Sequence, residues 1–150
     1  MAKKSTTILR RTLFDSTVGS GSNIYCNRKD LANESSVENF FVNRLLDDLE
    51  YRDAQIKTKR SIAELTVSLG RKSVNYKPDY VLTYRKKPRW VIDAKHPSED
   101  LDKWTGQCAG YCLELNKTFK DENPVKWFML TNGIETRVYQ WDNAAPLLTL

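Results

Sequence analysis

Two strand-forming runs separated by one short basic turn constrain this chain more than any other feature. Tyr80-Val81-Leu82-Thr83-Tyr84 is aromatic and β-branched, and Trp90-Val91-Ile92-Asp93-Ala94-Lys95 resumes just after the Arg85–Pro88 stretch. A connection that short joins the two as an antiparallel hairpin. Strand side chains alternate faces, so Asp93 and Lys95 share one face with Val91. Trp90, Ile92 and Ala94 take the other face, which is expected to be the buried one. Pairing Arg85 with Arg89 leaves the loop Lys86-Lys87-Pro88 and sets Asp79 opposite Lys95. Asp93 is then the diagonal neighbour of Asp79, ~7–8 Å away. One register thus gathers two carboxylates and an ammonium at one end of a sheet.

Helical patterns flank this hairpin. Over residues 35–52, Val37, Phe40, Phe41, Leu45, Leu46 and Leu49 recur at three- and four-residue steps, an apolar stripe. Ser35 followed by Glu38 reads as a capping box. Residues 53–76 are ambiguous: Ile62, Leu65 and Leu69 suit a short helix, Thr66-Val67 a strand, and Gly70 closes the segment. A second helix opens at Ser98-Glu99-Asp100, with Leu101, Trp104, Cys108, Tyr111/Cys112, Leu115 and Phe119 as its stripe. Val125–Thr131 and Ile134–Trp141 read as strands about an Asn132-Gly133 turn. The order helix, hairpin, helix, hairpin predicts an α/β fold, a small mixed sheet flanked by helices. Residues 1–22, ending in Gly19-Ser20-Gly21-Ser22, read as an irregular lead-in to one domain over 23–150.

The chain has 150 residues, a net charge of +5 and a pI near 9.1. That is one domain's worth of chain, with a charge that permits nucleic-acid binding. No apolar run approaches the ~20 residues of a membrane span, and no secretory signal follows the basic start, so a cytoplasmic location is expected. Cys26, Cys108 and Cys112 form no CxxC pair; they read as reduced thiols. His96 is the only histidine, which argues against a zinc cage or a His-based triad and suits a surface position at a strand end. No Gly-x-x-x-x-Gly-Lys-Ser/Thr loop occurs, so no ATP site is expected.

Two carboxylates beside a lysine are what phosphodiester hydrolysis needs. Acidic oxygens and a strand carbonyl hold Mg²⁺, the metal activates water and polarises phosphate, and the lysine offsets developing charge.

These residues also carry a family resemblance. Pro78-Asp79 followed by Asp93-Ala94-Lys95 resembles the PD-(D/E)XK nuclease signature, and Gln107-Cys108-Ala109-Gly110-Tyr111 resembles the QxxxY element of one large branch. Glu38 matches the acidic helix residue that precedes the core. With Tyr76-Lys77-Pro78-Asp79-Tyr80-Val81-Leu82 and Leu130-Thr131-Asn132-Gly133, residues 35–141 resemble the N-terminal nuclease domain of type I restriction-enzyme R subunits. Asp93 stands where glutamate is commoner. The resemblance implies a restriction-endonuclease-like core. It implies catalytic roles for Asp79, Asp93, Lys95, Gln107, Glu38 and Tyr111, and metal ligation by Asp79, Asp93, the Ala94 carbonyl and Glu38. The metal would be Mg²⁺, with Mn²⁺ as a substitute. Partners would be double-stranded DNA, a helicase or translocase module in a longer chain, and methyltransferase and specificity subunits.

Lys57, Lys59, Arg60, Arg71, Lys72 and Lys77 precede the site and are the candidate phosphate contacts. The basic turn Arg85, Lys86, Lys87 and Arg89 lies at the opposite end and reads as a solubilising turn. Two alternatives stay open: a catalytically silent nuclease-like module that binds DNA or a protein, and a repair or RNA-directed nuclease of the same superfamily.

Overall fold

The computed structural model describes residues 23–63, 65–69, 71–120 and 122–150; the expected lead-in over 1–22 and Gly70 lie outside the described residues. The first helix, α1, runs from Glu34–Val37 through a π segment, Glu38–Val42, into Asn43–Asp48. Strands β1 (Ile56–Thr58), β2 (Leu65–Leu69), β3 (Lys72–Tyr76), β4 (Tyr80–Tyr84) and β5 (Lys87–Ala94) follow. The 3₁₀ turn Leu101–Trp104 leads into α2 (Thr105–Lys117). Strands β6 (Trp127–Thr131), β7 (Thr136–Gln140) and β8 (Pro146–Thr149) close the order.

Six strands form one open sheet in the order β1-β4-β5-β6-β7-β8, and β2 pairs with β3 separately. Only β5 and β6 run parallel within the six-stranded sheet, and α2 lies in the crossover that such a pair requires. The described residues therefore form a mixed α/β fold with an open six-stranded sheet and two helices. Within the ambiguous 53–76 region, Asp53–Gln55 is a 3₁₀ turn and Ile56–Thr58, Leu65–Leu69 and Lys72–Tyr76 are strands, with no α-helix among its described residues; β1 and β8 extend the sheet at its two edges. No helix among the described residues is long and apolar enough to cross a membrane.

The hairpin forms, but in a different register. Arg85 and Lys86 both adopt positive φ, at 50° and 64°, the geometry of a two-residue I′ turn that pairs Tyr84 with Lys87. That turn alone would put Asp79 and Asp93 on opposite faces. A shift between Leu82 and Thr83 skips Arg89, after which Leu82 faces Trp90 and Tyr80 faces Ile92. The bulge restores the parity. Asp79 therefore comes level with Asp93 instead of Lys95, the position expected from the three-residue loop.

The expectation of one buried face is also corrected, because both faces are covered. Leu82, Ile92, Ala94 and Met129 pack with Val37, Phe41, Val42, Leu45 and Leu46 of α1. Val81, Val91, Phe128 and Leu130 pack with Leu101, Cys108, Tyr111 and Cys112. Phe128 stacks on Tyr139 with ring centroids 4.7 Å apart. Asp93 and Lys95 lie on this second face and are buried beneath α2.

Asn33, rather than Ser35, caps α1. Its side chain accepts from Ser36 N at 2.9 Å, while Ser36 Oγ accepts from Asn33 N at 3.0 Å. Glu38 is thereby released from capping and opens the π segment. The wider π turn brings Phe41 and Val42 to the core and leaves Phe40 exposed; Leu49, also expected in the stripe, is exposed as the residue that ends the helix. Arg44 lies over the Phe40 ring instead.

Candidate active site

The carboxyl end of the parallel β5–β6 pair carries the polar cluster, where open α/β sheets commonly place ligands. Pro78 and Asp79 enter β4 beside this end. The Ala94 N–H donates to Asp79 Oδ2 at 2.6 Å, which ties the carboxylate to the last residue of β5 and brings Ala94 against it. Lys95 N donates to Thr131 O at 2.8 Å, so β6 holds the chain just past Asp93. Thr131 and Asn132 then stiffen the turn into β7. Asn132 Oδ1 accepts from Ile134 N and Glu135 N, and Thr131 Oγ1 lies 2.8 Å from Thr136 Oγ1. Gly133 sits at φ +82°, and a Cβ there would lie 2.7 Å from Leu31 Cδ1. No other residue suits that turn without strain.

Two lysines serve the two central carboxylates. Lys95 Nζ lies 2.7 Å from Asp93 Oδ2 and 4.1 Å from the centre of the Trp104 ring. Lys59 Nζ pairs with Asp79 Oδ1, with Glu34 at 3.2 Å and with Glu38 at 3.7 Å. Oxygens of Glu34, Glu38 and Asp79 all lie within 4.8 Å of one another. The converging trio thus includes Glu34, which was not expected, while Asp93 turns toward Lys95 and the Cys108 thiol, 3.7 Å away.

Titration behaviour follows from this crowding. Burial, then the charge of Asp93, raises the Asp79 carboxyl from 3.8 to about 6, although Lys59 and the Ala94 N–H pull the other way. Burial and Asp79 likewise push Glu38 up. Burial, the largest single influence, opposes the charged form of both lysines, yet Asp79 and Glu34 together outweigh it at Lys59, and Asp93 with its neighbours outweighs it at Lys95, so both ammoniums are held more firmly than usual. Burial, then Asp93, keeps the Cys108 thiol protonated far above its ordinary range.

Gln107 and Tyr111 are both buried on α2, and Gln107 Nε2 donates to Tyr111 Oη at 2.5 Å. Tyr111 therefore orients Gln107, as their helical spacing suggests. Burial and Asp93 raise the Tyr111 hydroxyl, which stays neutral. His96 is exposed and bonds Ser98.

Of the expected phosphate contacts, Lys57, Arg60, Arg71 and Lys77 are exposed. Lys59 instead reaches into the acidic cluster, and the side chain of Lys72 lies outside the described residues. Lys87 of the distant turn pairs with Glu122 at 2.5 Å. Sequence reasoning missed Glu34, Cys108 and Trp104 as neighbours of the site. Glu34 and Glu38 are four apart on one helix, the one signal that pointed to the former. All three thiols are free, and Cys108 and Cys112 are buried. No family model, curated protein or solved structure matches the chain.

Proposed function

We propose that the chain is a metal-dependent DNA endonuclease domain of the PD-(D/E)XK type, with the site built on Asp79, Asp93 and Lys95. The observation that carries this reading is a charge imbalance in a confined place. Four carboxylates, Glu34, Glu38, Asp79 and Asp93, meet only two ammoniums, Lys59 and Lys95, and Asp79 and Asp93 are almost wholly buried. Hard oxygen donors with surplus negative charge suit Mg²⁺, or Mn²⁺ in its place. Asp79 and Glu38 would hold the ion, with Glu34, Asp93 and the Ala94 carbonyl as the adjoining oxygens. When bound, the cation polarises the phosphoryl oxygen and acidifies its water.

The chain's own residues supply the rest. Lys95 is held protonated by Asp93, so it acts as a fixed positive donor toward phosphate and not as a base. Trp104 on one side and Asp93 on the other fix its direction. Gln107, braced by Tyr111, faces the same side of the sheet and offers a neutral donor. Exposed Lys57, Arg60, Arg71 and Lys77 provide sequence-independent phosphate contacts. On this reading the fold is restriction-endonuclease-like, the substrate is double-stranded DNA, and the setting is cytoplasmic. The resemblance to type I restriction R subunits further proposes a helicase or translocase module and methyltransferase and specificity subunits as partners.

Purified protein incubated with plasmid DNA should cut it only with Mg²⁺ or Mn²⁺ present. Asp79→Ala and Lys95→Ala should each lower the rate by at least ~10²-fold while their circular dichroism stays native. Cleavage undiminished in both folded variants would sink the assignment. A silent, DNA-binding module is the second reading, favoured by the ammonium that each buried carboxylate already carries. It predicts DNA binding with no cleavage under any metal.

A further inference from the structure

Lys59 is held differently from Lys95, and the difference bears on how a cation would enter. Its backbone is fixed by the turn after β1. Thr58 O accepts from Ser61 N at 2.9 Å and Ile62 N at 3.2 Å, and Ser61 Oγ lies 3.2 Å from Thr58 N. Ile62 is buried and anchors the turn from below. The side chain then crosses to α1 and β4, so one ammonium contacts the only trio of mutually close carboxylates among the described residues. Lys95 is nearly enclosed, its side chain 10% exposed, whereas that of Lys59 is 48% exposed. Lys59 therefore has an open path to solvent, and Lys95 does not.

An ammonium and a divalent ion cannot share this position. Mg²⁺ draws carboxylate oxygens to ~2.0–2.1 Å, and the Lys59 ammonium already sits against an oxygen of each of the three carboxylates that would close on the ion, so the two cations compete for one place. We propose that Lys59 is a placeholder cation. It holds Glu34, Glu38 and Asp79 together while the protein is metal-free, and it swings out to solvent when the divalent ion enters. Its departure sets the metal affinity and frees a positive charge at the rim, beside Lys57 and Arg60, where phosphate would arrive. The inference rests on the proposed metal dependence but assigns Lys59 a role which that reading does not require.

Calorimetric titration of the full chain with Mg²⁺ tests it. If the Lys59-bound form dominates by ~10 to 1, Lys59→Met should bind Mg²⁺ about tenfold more tightly than wild type, because no competing state remains to be displaced. Lys59→Arg should keep the weaker affinity. Equal or weaker binding by folded Lys59→Met overturns the placeholder role and leaves the nuclease reading intact. Absence of Mg²⁺ and Mn²⁺ binding in every form overturns both. A measurement on wild type covers the case in which Lys59→Met does not fold. The Lys59 ammonium signal in nitrogen-detected lysine NMR should be protected without metal and lose that protection on adding Mg²⁺. Protection that persists in the Mg²⁺-saturated protein contradicts the proposal.

Discussion

Asp79 concentrates the competing forces at this site. Its carboxylate is buried, faces the like charge of Asp93, and is offset by Lys59 and one backbone N–H. The sign of the consequence is definite. The folded protein holds the Asp79 proton up to about pH 6, whereas the unfolded chain releases it near 3.8. Stability contributed by this group is full below the lower value and declines as pH rises through the upper one. The loss is at most about 3 kcal/mol, spread across that window. Asparagine at this position does not titrate. Metal-free wild type should therefore lose stability relative to Asp79→Asn between pH 4 and 7 in parallel urea titrations, and a constant gap between the two proteins would refute this. That Asp79 and Asp93 share a face was legible in the residues, because it depends only on an even register. Their direct opposition was not. It depends on Arg85 and Lys86 accepting positive φ without glycine and on a bulge at Arg89, and neither residue type signals such a conformation.

At the scale of the element, α1 and the β4–β5 hairpin carry the site between them. The π segment opens at Glu38, and the Asn33–Ser36 box fixes where the helix begins, so the cap and the acidic pair Glu34/Glu38 form one unit. Loss of the cap should be felt at the site as well as in the helix. Asn33→Ala should cost ~1 kcal/mol of stability, and it should weaken Mg²⁺ binding in the same preparation. Thermal melts and calorimetry read the two effects, and an unchanged metal affinity would separate the cap from the site. The apolar stripe revealed the helix, and the alternating strands revealed the central hairpin. Their chemistry was less accessible. Glu38 was read as part of a cap because Ser35 precedes it by three residues, yet Asn33 wins by bonding Ser36. By sequence Lys59 is a candidate phosphate contact and not a partner of Asp79, since a three-residue β1 carries no pattern strong enough to bring residue 59 beside residue 79.

Across the whole molecule, the open sheet is covered by α1 on one face and α2 on the other, and the site lies where both coverings meet the carboxyl end of β5. Burial of both faces explains why Asp93 and Lys95 are enclosed and why their pair is fixed by Trp104 and Cys108. The buried Asp79 and Asp93 depend on Lys59 and Lys95 to offset their charge, while Glu34 and Glu38 lie at the more open rim of the cluster. The alternating order of helices and hairpins made this α/β layering readable. The edges β1 and β8 were not, because short edge strands need little periodicity to pair. The central claim is that the acidic end of the sheet binds a divalent ion through Asp79. Mn²⁺ titration followed by electron paramagnetic resonance, on wild type and on Asp79→Asn at neutral pH, tests it most directly. Saturable Mn²⁺ binding by wild type that is lost in the folded variant is the predicted result, and equal binding by both proteins, or none by wild type, would contradict it.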